Sequence, residues 1–462
     1  MVRRWPALTL GMVMTFGVFL AAQDANHWTQ QYGAYATLLG GAVIGSPSGL
    51  ASTYYNPGRL SLSDSATVVV SAKAYQLTSL RLVNSVGGSG EVKNDEIGGS
   101  PDLVAGFLPS RKLGPGRRLA YSILHRYAGS FDLTFRSGAN RDALPGVAGE
   151  EAFAGELQFN YKVNDFWAGV SFSQRLNDHI GVGVTQFVSI RSQRFNRRIF
   201  YEALLEDGRT ATASRFQEYD YFKASLVWRA GLSGNFGPGT TWGLSVTTPY
   251  LNLFGSGYVL YNELVAGGDL TGNGLLDDLL ISNQQDGQPA RYRTGWAFGA
   301  GASTLLSSIV RVHFSTEYFT SVGRYALIEA DPFQGQSTGE EQFHRVDNAQ
   351  RGVLNAGLGF EFFANENVDY YASFSTDFSP ILENEALVNT YLGTNLYHLG
   401  GGTTLSLGRV DLNLGLIYSF GNEAVPDLTT IFLPPGWRPD DEAQPGDLRW
   451  RRIKLIFGIS VN

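Results

Sequence analysis

The stretch DLNLGLIYSF, residues 411–420, decides the fold because its side chains alternate in character along the chain. Leucine and aromatic residues occupy every even position, whereas Asp, Asn, Gly and Ser occupy all but one of the odd positions. Successive Cβ atoms of a β-strand point to opposite faces, so the pattern predicts a strand with one apolar face and one small or polar face. The same alternation returns at 296–302, 310–318, 354–362 and 453–461. We therefore predict a chain built from many such strands.

The connections between these strands are of two kinds. Short turns lie at 176–179, 237–239 and 365–367, and connections of this length imply antiparallel hairpins. Long polar connections are predicted at 85–100, 138–152, 194–212, 265–290, 331–349 and 421–448. Short turns at one end of the strands and long loops at the other are typical of outer-membrane barrels.

The composition also favours one large β structure. Of the 462 residues, 56 are Gly, 13% are aromatic and only 17% are charged, whereas soluble domains carry about 25% charged residues. A mean hydropathy of -0.09 excludes a helical membrane protein with several apolar spans. The net charge of -7 argues against nucleic acid as a partner. The absence of Cys excludes disulfides, thiolate metal sites and cysteine nucleophiles.

A membrane barrel and a soluble β-sandwich both contain alternating strands, but a sandwich has shorter strands and buries its apolar faces in a core. Here strands of about ten residues end in Trp, Tyr or Phe, which matches the interfacial aromatic girdles of membrane barrels. At roughly 28 residues for a strand and its connection, residues 66–462 provide about 14 strands. We predict an all-β fold, a transmembrane antiparallel β-barrel of about 14 strands with an N-terminal hatch or plug in its lumen.

The first 22 residues have the features of a secretory signal peptide. The basic start MVRR is followed by the apolar run WPALTLGMVMTFGVFLAA, residues 5–22, which ends in small residues. A retained membrane anchor is the alternative, because the run is about long enough to span a bilayer. We predict cleavage near Ala21 or Ala22 and a mature protein located in the outer membrane of a Gram-negative bacterium.

Residues 23–65 do not continue the strand pattern. Residues 33–62 are rich in Gly, Ala and Ser and lack sustained alternation, so we predict a compact segment that plugs the lumen. Within it, Asn56, Pro57 and Gly58 predict a tight type II turn, in which Pro sets φ and Gly adopts a positive φ. An ordinary linker turn is the alternative interpretation.

The stretch LLGGAVIGSPSGLASTYYNPGRL, residues 38–60, resembles the opening of the FadL-type family of outer-membrane transporters for hydrophobic compounds. In that family a hatch with an Asn-Pro-Ala element fills the lumen of a barrel of about 14 strands. Asn56 and Pro57 match this element, and Gly58 replaces its Ala. The resemblance implies that these three residues belong to the hatch.

Two further stretches, 242–257 and 397–421, resemble a mid-barrel strand and the penultimate hairpins of the same family, while Val461-Asn462 departs from its aromatic end. The resemblance implies a channel, not an enzyme, for passive uptake of hydrophobic small molecules such as long-chain fatty acids or hydrocarbons through a hatch-gated barrel. It implies outer-membrane lipid and the hydrophobic molecule as partners, and no cofactor. A FadL-like barrel that acts as an interaction scaffold or shuttle in protein secretion is the alternative. A lipid hydrolase with Ser, His and an acid clustered on the wall is a third.

Four residues outside the hatch are candidate sites. Pro249 lies inside a predicted strand, where its missing N–H indicates either a kink with a local opening or a strand end. Asp269, Asn273 and Asp277 match positions of a calcium loop, but Leu280 at the last ligand position cannot chelate, so a polar surface loop is the alternative.

Charged residues on the polar faces are predicted to point into the lumen and to form structural ion pairs: Arg229, Arg291, Arg293, Arg311 and Glu317. His313 and His398 lie on the same faces and are predicted to form hydrogen bonds in the lumen rather than act as catalytic bases. The sequence has no metalloprotease spacing, P-loop or nucleophile elbow.

Overall fold

The chain forms a closed β-barrel around a buried N-terminal segment in the computed structural model. The structure describes residues 19–21, 26–63, 67–83, 91–109, 113–144, 147–237, 239–268, 277–382, 393–425, 437 and 446–461. The N-terminal elements are β1 (Phe19–Ala21), α1 (Ala34–Leu38), a 3₁₀ helix (Gly49–Ala51), α2 (Ser52–Tyr55) and a second 3₁₀ helix (Pro57–Leu62). No helix in these ranges is long and apolar enough to cross a membrane.

Strands make up the regular structure of the remaining described residues. They are β2 (Val68–Val83), β3 (Glu91–Leu108), β4 (Arg117–Arg141), β5 (Glu151–Arg175), β6 (Ile180–Leu204), β7 (Thr210–Phe236), β8 (Thr240–Thr247), β9 (Leu251–Gly268), β10 (Asp277–Pro289), β11 (Ala297–Ser307) and β12 (Val310–Phe319). An insertion then carries β13 (Val322–Glu329), β14 (Phe333–Gln334), β15 (Glu341–Gln342) and β16 (Arg345–Gln350). The wall ends with β17 (Val353–Asn365), β18 (Val368–Asp377), β19 (Leu396–Leu407), β20 (Val410–Val425) and β21 (Gly446–Val461).

Neighbouring wall strands pair antiparallel, and β2 pairs with β21, which closes the barrel. β8 and β9 both pair with β7 and are therefore two parts of one wall strand. β11 pairs with β8 and β10 pairs with β9, so β10 and β11 are two parts of the next wall strand. The 16 described strands of this sheet thus make 16 - 2 = 14 wall strands, as predicted.

The two faces of the wall have the predicted characters. On β20, Leu414 on the outward face is 39% exposed, whereas Asn413 on the inward face is 4% exposed. On β6 the outward Val188 and Ile190 are exposed, and the inward Ser189 between them is buried. A soluble sandwich would bury the apolar face, whereas lipid requires it outside. The structure is therefore a transmembrane barrel.

Several connections predicted as long loops are partly or mostly strand. β4 to β7 each run for 25 to 27 residues, and β6 and β7 continue through most of the predicted loop 194–212, with a turn at 205–209 between them. In the predicted loop 138–152, strands occupy only the ends, 138–141 and 151–152. A membrane crossing needs about ten residues, so these strands continue beyond the bilayer. The prediction of loops was wrong because, beyond the bilayer, the outward face of a strand lies in water and carries charged side chains, so the apolar–polar alternation is lost. Arg194, for example, lies 2.6 Å from Asp220 on the neighbouring strand. Strands also occupy described parts of the predicted loops 85–100, 265–290, 331–349 and 421–448.

Candidate functional site

The segment 26–63 fills the lumen and is almost entirely buried. Helix α1 contacts β18 to β21, and the 3₁₀ helix Pro57–Leu62 contacts β4 to β7. Inward-facing glycines of the wall allow this close approach, because a Cβ atom added at Gly243 would overlap the carbonyl of Ile44 and one added at Gly415 would overlap the side chain of Leu38. Some of the abundant glycine thus makes room for the segment.

Asn56, Pro57 and Gly58 lie where this segment touches β6 and β7. The expected type II turn is wrong, because Asn56 caps the 3₁₀ helix that starts at Pro57, and Gly58 does not have a positive φ. The Asn56 Oδ1 accepts a hydrogen bond from the Gly58 N–H at 3.2 Å. Gly58 is needed for another reason: a Cβ atom there would lie 2.7 Å from the carbonyl oxygens of both Gly181 and Gly231.

Arg229 and Glu317 form a buried ion pair that holds the segment to the wall. As predicted, both point inward, and Arg229 Nη1 lies 2.9 Å from Glu317 Oε1. Arg229 Nη2 also donates to the carbonyl oxygen of Tyr55 at 3.1 Å. Trp28 Nε1 donates to Glu317 Oε2 at 3.0 Å. One ion pair therefore contacts both the beginning and the end of the segment.

Ser46, His313 and Glu361 form a second connection of this kind. Ser46 Oγ lies 2.8 Å from His313 Nδ1, and His313 Nε2 lies 3.4 Å from Glu361 Oε2. The three residue types are those of a hydrolytic triad, but the exposed fractions of Ser46 and His313 are only 1% and 0%. A substrate cannot reach this serine, so the arrangement fastens the segment rather than cleaving a bond.

The hydrogen-bonded wall is interrupted at Pro249. Strand β8 ends at Thr247 and β9 begins at Leu251, while the neighbouring wall strand is interrupted over 290–296. Across this seam, ladder pairs are present at Thr247–Ala297 and resume at Ser256–Pro289. Because β7 pairs with both β8 and β9, the interruption affects one seam of the wall.

The register places this interruption at membrane depth. The Thr248 N–H donates to the carbonyl oxygen of Trp228 at 2.9 Å, and Trp228 is paired with Gln186 of β6. Gln186 lies between Val184 and Val188, whose side chains are exposed on the outward face. The open seam therefore lies at the level of the apolar band on the outer surface of the wall.

The insertion that follows β12 packs over the open seam, and we call its strand β13 the strap. Ile328 pairs with Ala290, and the Arg291 N–H donates to the carbonyl oxygen of Leu327 at 2.8 Å. The Arg293 N–H donates to the Tyr325 hydroxyl at 2.9 Å. The strap thus supplies hydrogen-bond partners that the interrupted wall lacks. Arg291 and Arg293 are exposed here, so their predicted inward orientation is wrong. The chain leaves the sheet at this point, and strand alternation no longer determines their direction.

A cavity of about 40 Å³ lies beside the seam and is bordered by Thr248 and Thr294. Its wall is aromatic: the His27 ring stacks on Phe319 at 4.0 Å, and the Trp167 and Tyr250 rings lie 5.9 Å apart. The remaining lining includes the guanidinium of Arg126. Burial, together with the charge of Arg126, lowers the pKa of His27 to about 3, so this imidazole is neutral at neutral pH.

Solved structures share this architecture. The Pseudomonas aeruginosa FadL homologue aligns over 96% of this chain and 99% of its own, with a TM-score of 0.58 and 11% identity. This chain has the FadL-type fold. The toluene transporters TodX from P. putida (94% and 99%, TM-score 0.58, 13% identity) and TbuX from Ralstonia pickettii (94% and 99%, TM-score 0.55, 11% identity) are also similar to it. No protein-family model and no curated protein matches the sequence, so the likeness concerns the fold alone.

Two predictions for this FadL-type barrel fall outside the described residues. Asp269 and Asn273 of the calcium-loop prediction are not described, nor is the side chain of Asp277. Within the described ranges, no three His, Cys, Asp or Glu side chains are grouped to hold a metal ion. The signal-peptide prediction for residues 1–22 also lies outside them, apart from β1.

The sequence analysis did not single out Arg126, Trp167 or Tyr250 of the cavity. A signal was present at 125–127, where His-Arg-Tyr breaks the alternation of β4 and the FadL-type wall has a β-bulge. A broken pattern alone does not show which way a side chain points, so the cavity could not be predicted from it.

Proposed function

We propose that this protein is an outer-membrane channel for the uptake of hydrophobic small molecules, such as long-chain fatty acids or hydrocarbons, by passive diffusion. The observation that carries the proposal is the open seam at membrane depth with an aromatic cavity beside it. A hydrophobic molecule that leaves through the seam enters lipid directly and avoids the cost of exposing apolar surface to water. The structurally similar toluene transporters TodX and TbuX support this class of ligand.

In this proposal residues 23–65 act as a hatch. The segment blocks the lumen. Its hydrogen bonds with Arg229 and His313 can break and re-form without disturbing the wall. Cleavage of a signal peptide near Ala21 or Ala22 would remove most or all of β1 and leave this hatch at the N-terminus.

An engineered disulfide between the strap and the wall can test exit through the seam directly, because the chain has no Cys of its own to form competing disulfides. Ala290→Cys and Ile328→Cys place two thiols on facing residues of an antiparallel pair, and oxidation would fix the strap across the seam. We expect uptake of radiolabelled toluene and oleate by expressing cells to fall about tenfold on oxidation, which corresponds to an increase of about 1.4 kcal/mol in the free-energy barrier to passage. Reduction should restore it.

The control is the pair Tyr318→Cys and Leu354→Cys, which face each other across the intact ladder between β12 and β17. Its oxidation should leave uptake unchanged. Equal uptake with the strap locked and released would contradict exit through the seam. Mass spectrometry of molecules that copurify with the detergent-extracted protein would identify the ligand, and an empty protein in every preparation would favour a scaffold role.

A further inference from the structure

A polar side chain, Gln186, faces lipid in the middle of the apolar band. The antiparallel register aligns Tyr121 of β4, Val170 of β5, Gln186 of β6 and Trp228 of β7 in one row across the outward face of the wall. Val170 in this row is 55% exposed, and along β6 the exposed Gln186 lies between two exposed valines. The row therefore places an amide at the level of the bilayer where only apolar side chains are expected.

The amide of Gln186 has no hydrogen-bond partner within the described part of the chain. Outward threonines elsewhere in the wall do have partners: Thr316 Oγ1 donates to the carbonyl oxygen of Asn355 at 2.9 Å, and Thr403 Oγ1 donates to that of Asp369 at 2.9 Å. Hydrocarbon offers neither donors nor acceptors, so an unpaired amide in the apolar band is costly. A polar group in such a place indicates a function, and a molecule dissolved in the membrane can supply the missing partner.

Gln186 lies in a groove on the outer surface of the wall, with a volume of about 620 Å³. The rings of Tyr121 and Trp228 border this groove, and Ala168 and Val188 belong to its lining. The volume is about four times the roughly 150 Å³ in which a benzene-sized molecule binds. The groove therefore has room for a chain of many carbon atoms, and Gln186 adds an amide to its mainly apolar lining.

The groove lies close to the open seam. The carbonyl oxygen of Trp228 accepts a hydrogen bond from the Thr248 N–H at 2.9 Å, and the ladder between β8 and β11 ends at Thr247. Only β7 separates β6 from β8, and neighbouring strands lie about 4.8 Å apart, so the backbone of Gln186 is about 10 Å from the edge of the seam. A long-chain molecule that leaves through the seam reaches the groove within its own length.

The amide determines which head group the groove accepts. Gln186 presents an N–H donor beside a carbonyl acceptor, and an un-ionised carboxylic acid presents the matching O–H donor and carbonyl acceptor. The two groups can therefore form two hydrogen bonds side by side. An ester only accepts hydrogen bonds, and a hydrocarbon neither donates nor accepts them. A carboxylate would carry its charge into lipid at high cost.

We propose that the groove is a binding site, on the lipid side of the wall, for long-chain carboxylic acids in their un-ionised form. Gln186 Nε2 donates to the carbonyl oxygen of the acid, the O–H of the acid donates to Gln186 Oε1, and the chain lies along the apolar lining. This inference rests on the proposed function, because it makes the groove the place that a molecule occupies after it has left through the seam.

The test measures contact between the ligand chain and Trp228 in the full chain, reconstituted in phosphatidylcholine vesicles. Bromine atoms quench indole fluorescence on contact, so the probes are dibromostearic acid and its methyl ester. At about pH 5 the acid is un-ionised in the membrane, because low polarity raises the pKa of a carboxyl group above its value of about 4.3 in water. The signal of Trp228 is the difference between the protein with Trp228 and its Trp228→Phe variant.

We expect half-maximal quenching of Trp228 at a mole fraction of the acid about tenfold lower than that of the ester, as hydrogen bonds in lipid allow. Gln186→Leu should weaken the acid to the level of the ester and leave the ester unchanged, and leucine in lipid does not endanger folding. The matched control is Thr316→Val, which also makes an outward position apolar but lies outside the groove. It should keep the preference for the acid.

Three results would overturn the proposal: equal quenching by acid and ester in the unmodified protein, a preference for the acid that persists in Gln186→Leu, and no quenching of Trp228 by either probe. The channel function is tested separately by the disulfide between Ala290→Cys and Ile328→Cys. The probes reach the groove from the bilayer, so locking the strap should lower uptake and leave quenching unchanged. A preference for the acid together with uptake that ignores the lock would support the groove and contradict exit through the seam.

Discussion

Arg229 in the barrel wall donates a hydrogen bond to the carbonyl oxygen of Tyr55, 3.1 Å away at the end of helix α2 in the lumen. The same guanidinium is paired with Glu317, which accepts a hydrogen bond from Trp28. This buried charge pair is therefore one of the contacts by which the wall holds residues 26–63, and loss of one member leaves the other uncompensated.

Arg229→Ala should loosen the hatch. Removal of one partner of a buried ion pair costs about 3–5 kcal/mol, because the carboxylate of Glu317 would remain buried without its counter-charge. Hydrogen exchange of amides in residues 26–63 should become faster, while exchange in the wall strands stays slow. The control Arg194→Ala breaks an exposed pair with Asp220, worth about 0–1 kcal/mol. Unchanged exchange in the Arg229 variant would show that the pair does not hold the hatch.

Gly58→Ala should also displace the hatch from its position in the lumen, although the substitution adds only one methyl group. Its Cβ would lie 2.7 Å from two carbonyl oxygens of the wall, on Gly181 and Gly231, and backbone cannot move aside easily. Gly323→Ala is the matched control, because a Cβ there meets no atom within 4 Å and its φ is not positive. Thermal stability and hatch exchange should change only in the first variant, and equal behaviour of the two would contradict the close approach.

Deletion of residues 33–62 should leave a folded barrel with a larger and less selective conductance in planar bilayers. The wall closes through β2 and β21, and no wall strand uses this segment as a ladder partner in the described sheet. Heat-modifiable migration on gels checks that the barrel has assembled. Conductance equal to that of the intact protein would mean that the segment does not obstruct the lumen.

Leu414→Arg should destabilise the barrel by about 2–4 kcal/mol, because it places a cation in lipid near the middle of β20. Asn413→Arg should be much milder, since Asn413 borders a cavity of about 230 Å³ that also contains Asp369 and Asp411. Urea unfolding in lipid vesicles measures both. Equal destabilisation would contradict the assignment of the two faces.

Acidic pH should weaken the packing of the hatch in the lumen, because protons bind to His27 more readily when the hatch is displaced. The pKa of His27 is about 3 in the folded protein against 6.5 for a free imidazole, so the unseated form binds the proton more readily. The contribution of His27 to the stability of the packed hatch is therefore fully present above about pH 6.5 and is lost as the pH falls toward 3. After correction for the slower intrinsic exchange in acid, the hydrogen-exchange protection factors of residues 26–30 should be lower at about pH 5 than at neutral pH. His27→Asn should reduce this pH dependence, and an unaltered dependence would assign it to other groups.

The sequence alone was sufficient for the barrel, its 14 wall strands and the direction of its faces. Residues such as Leu414 and Asn413 alternate because lipid and lumen impose opposite requirements on neighbouring positions. The same reasoning failed at 194–212, where water on the outward face removes the contrast on which alternation depends. The small residues at 33–62 were enough to predict a plug, but not the 3₁₀ helix that starts at Pro57.

Only the tertiary structure decided where the functional features lie. The seam at Pro249 depends on which segments pair across it, and the partner of residues 290–293 is the strap, which follows some 30 residues later in the chain. Arg126 faces the cavity because a bulge shifts the register of β4 against β5. Local alternation reports the environment of each face, whereas register, interruptions and the meeting of His27 with Arg126 arise from contacts between residues distant in the chain, which a local pattern does not encode.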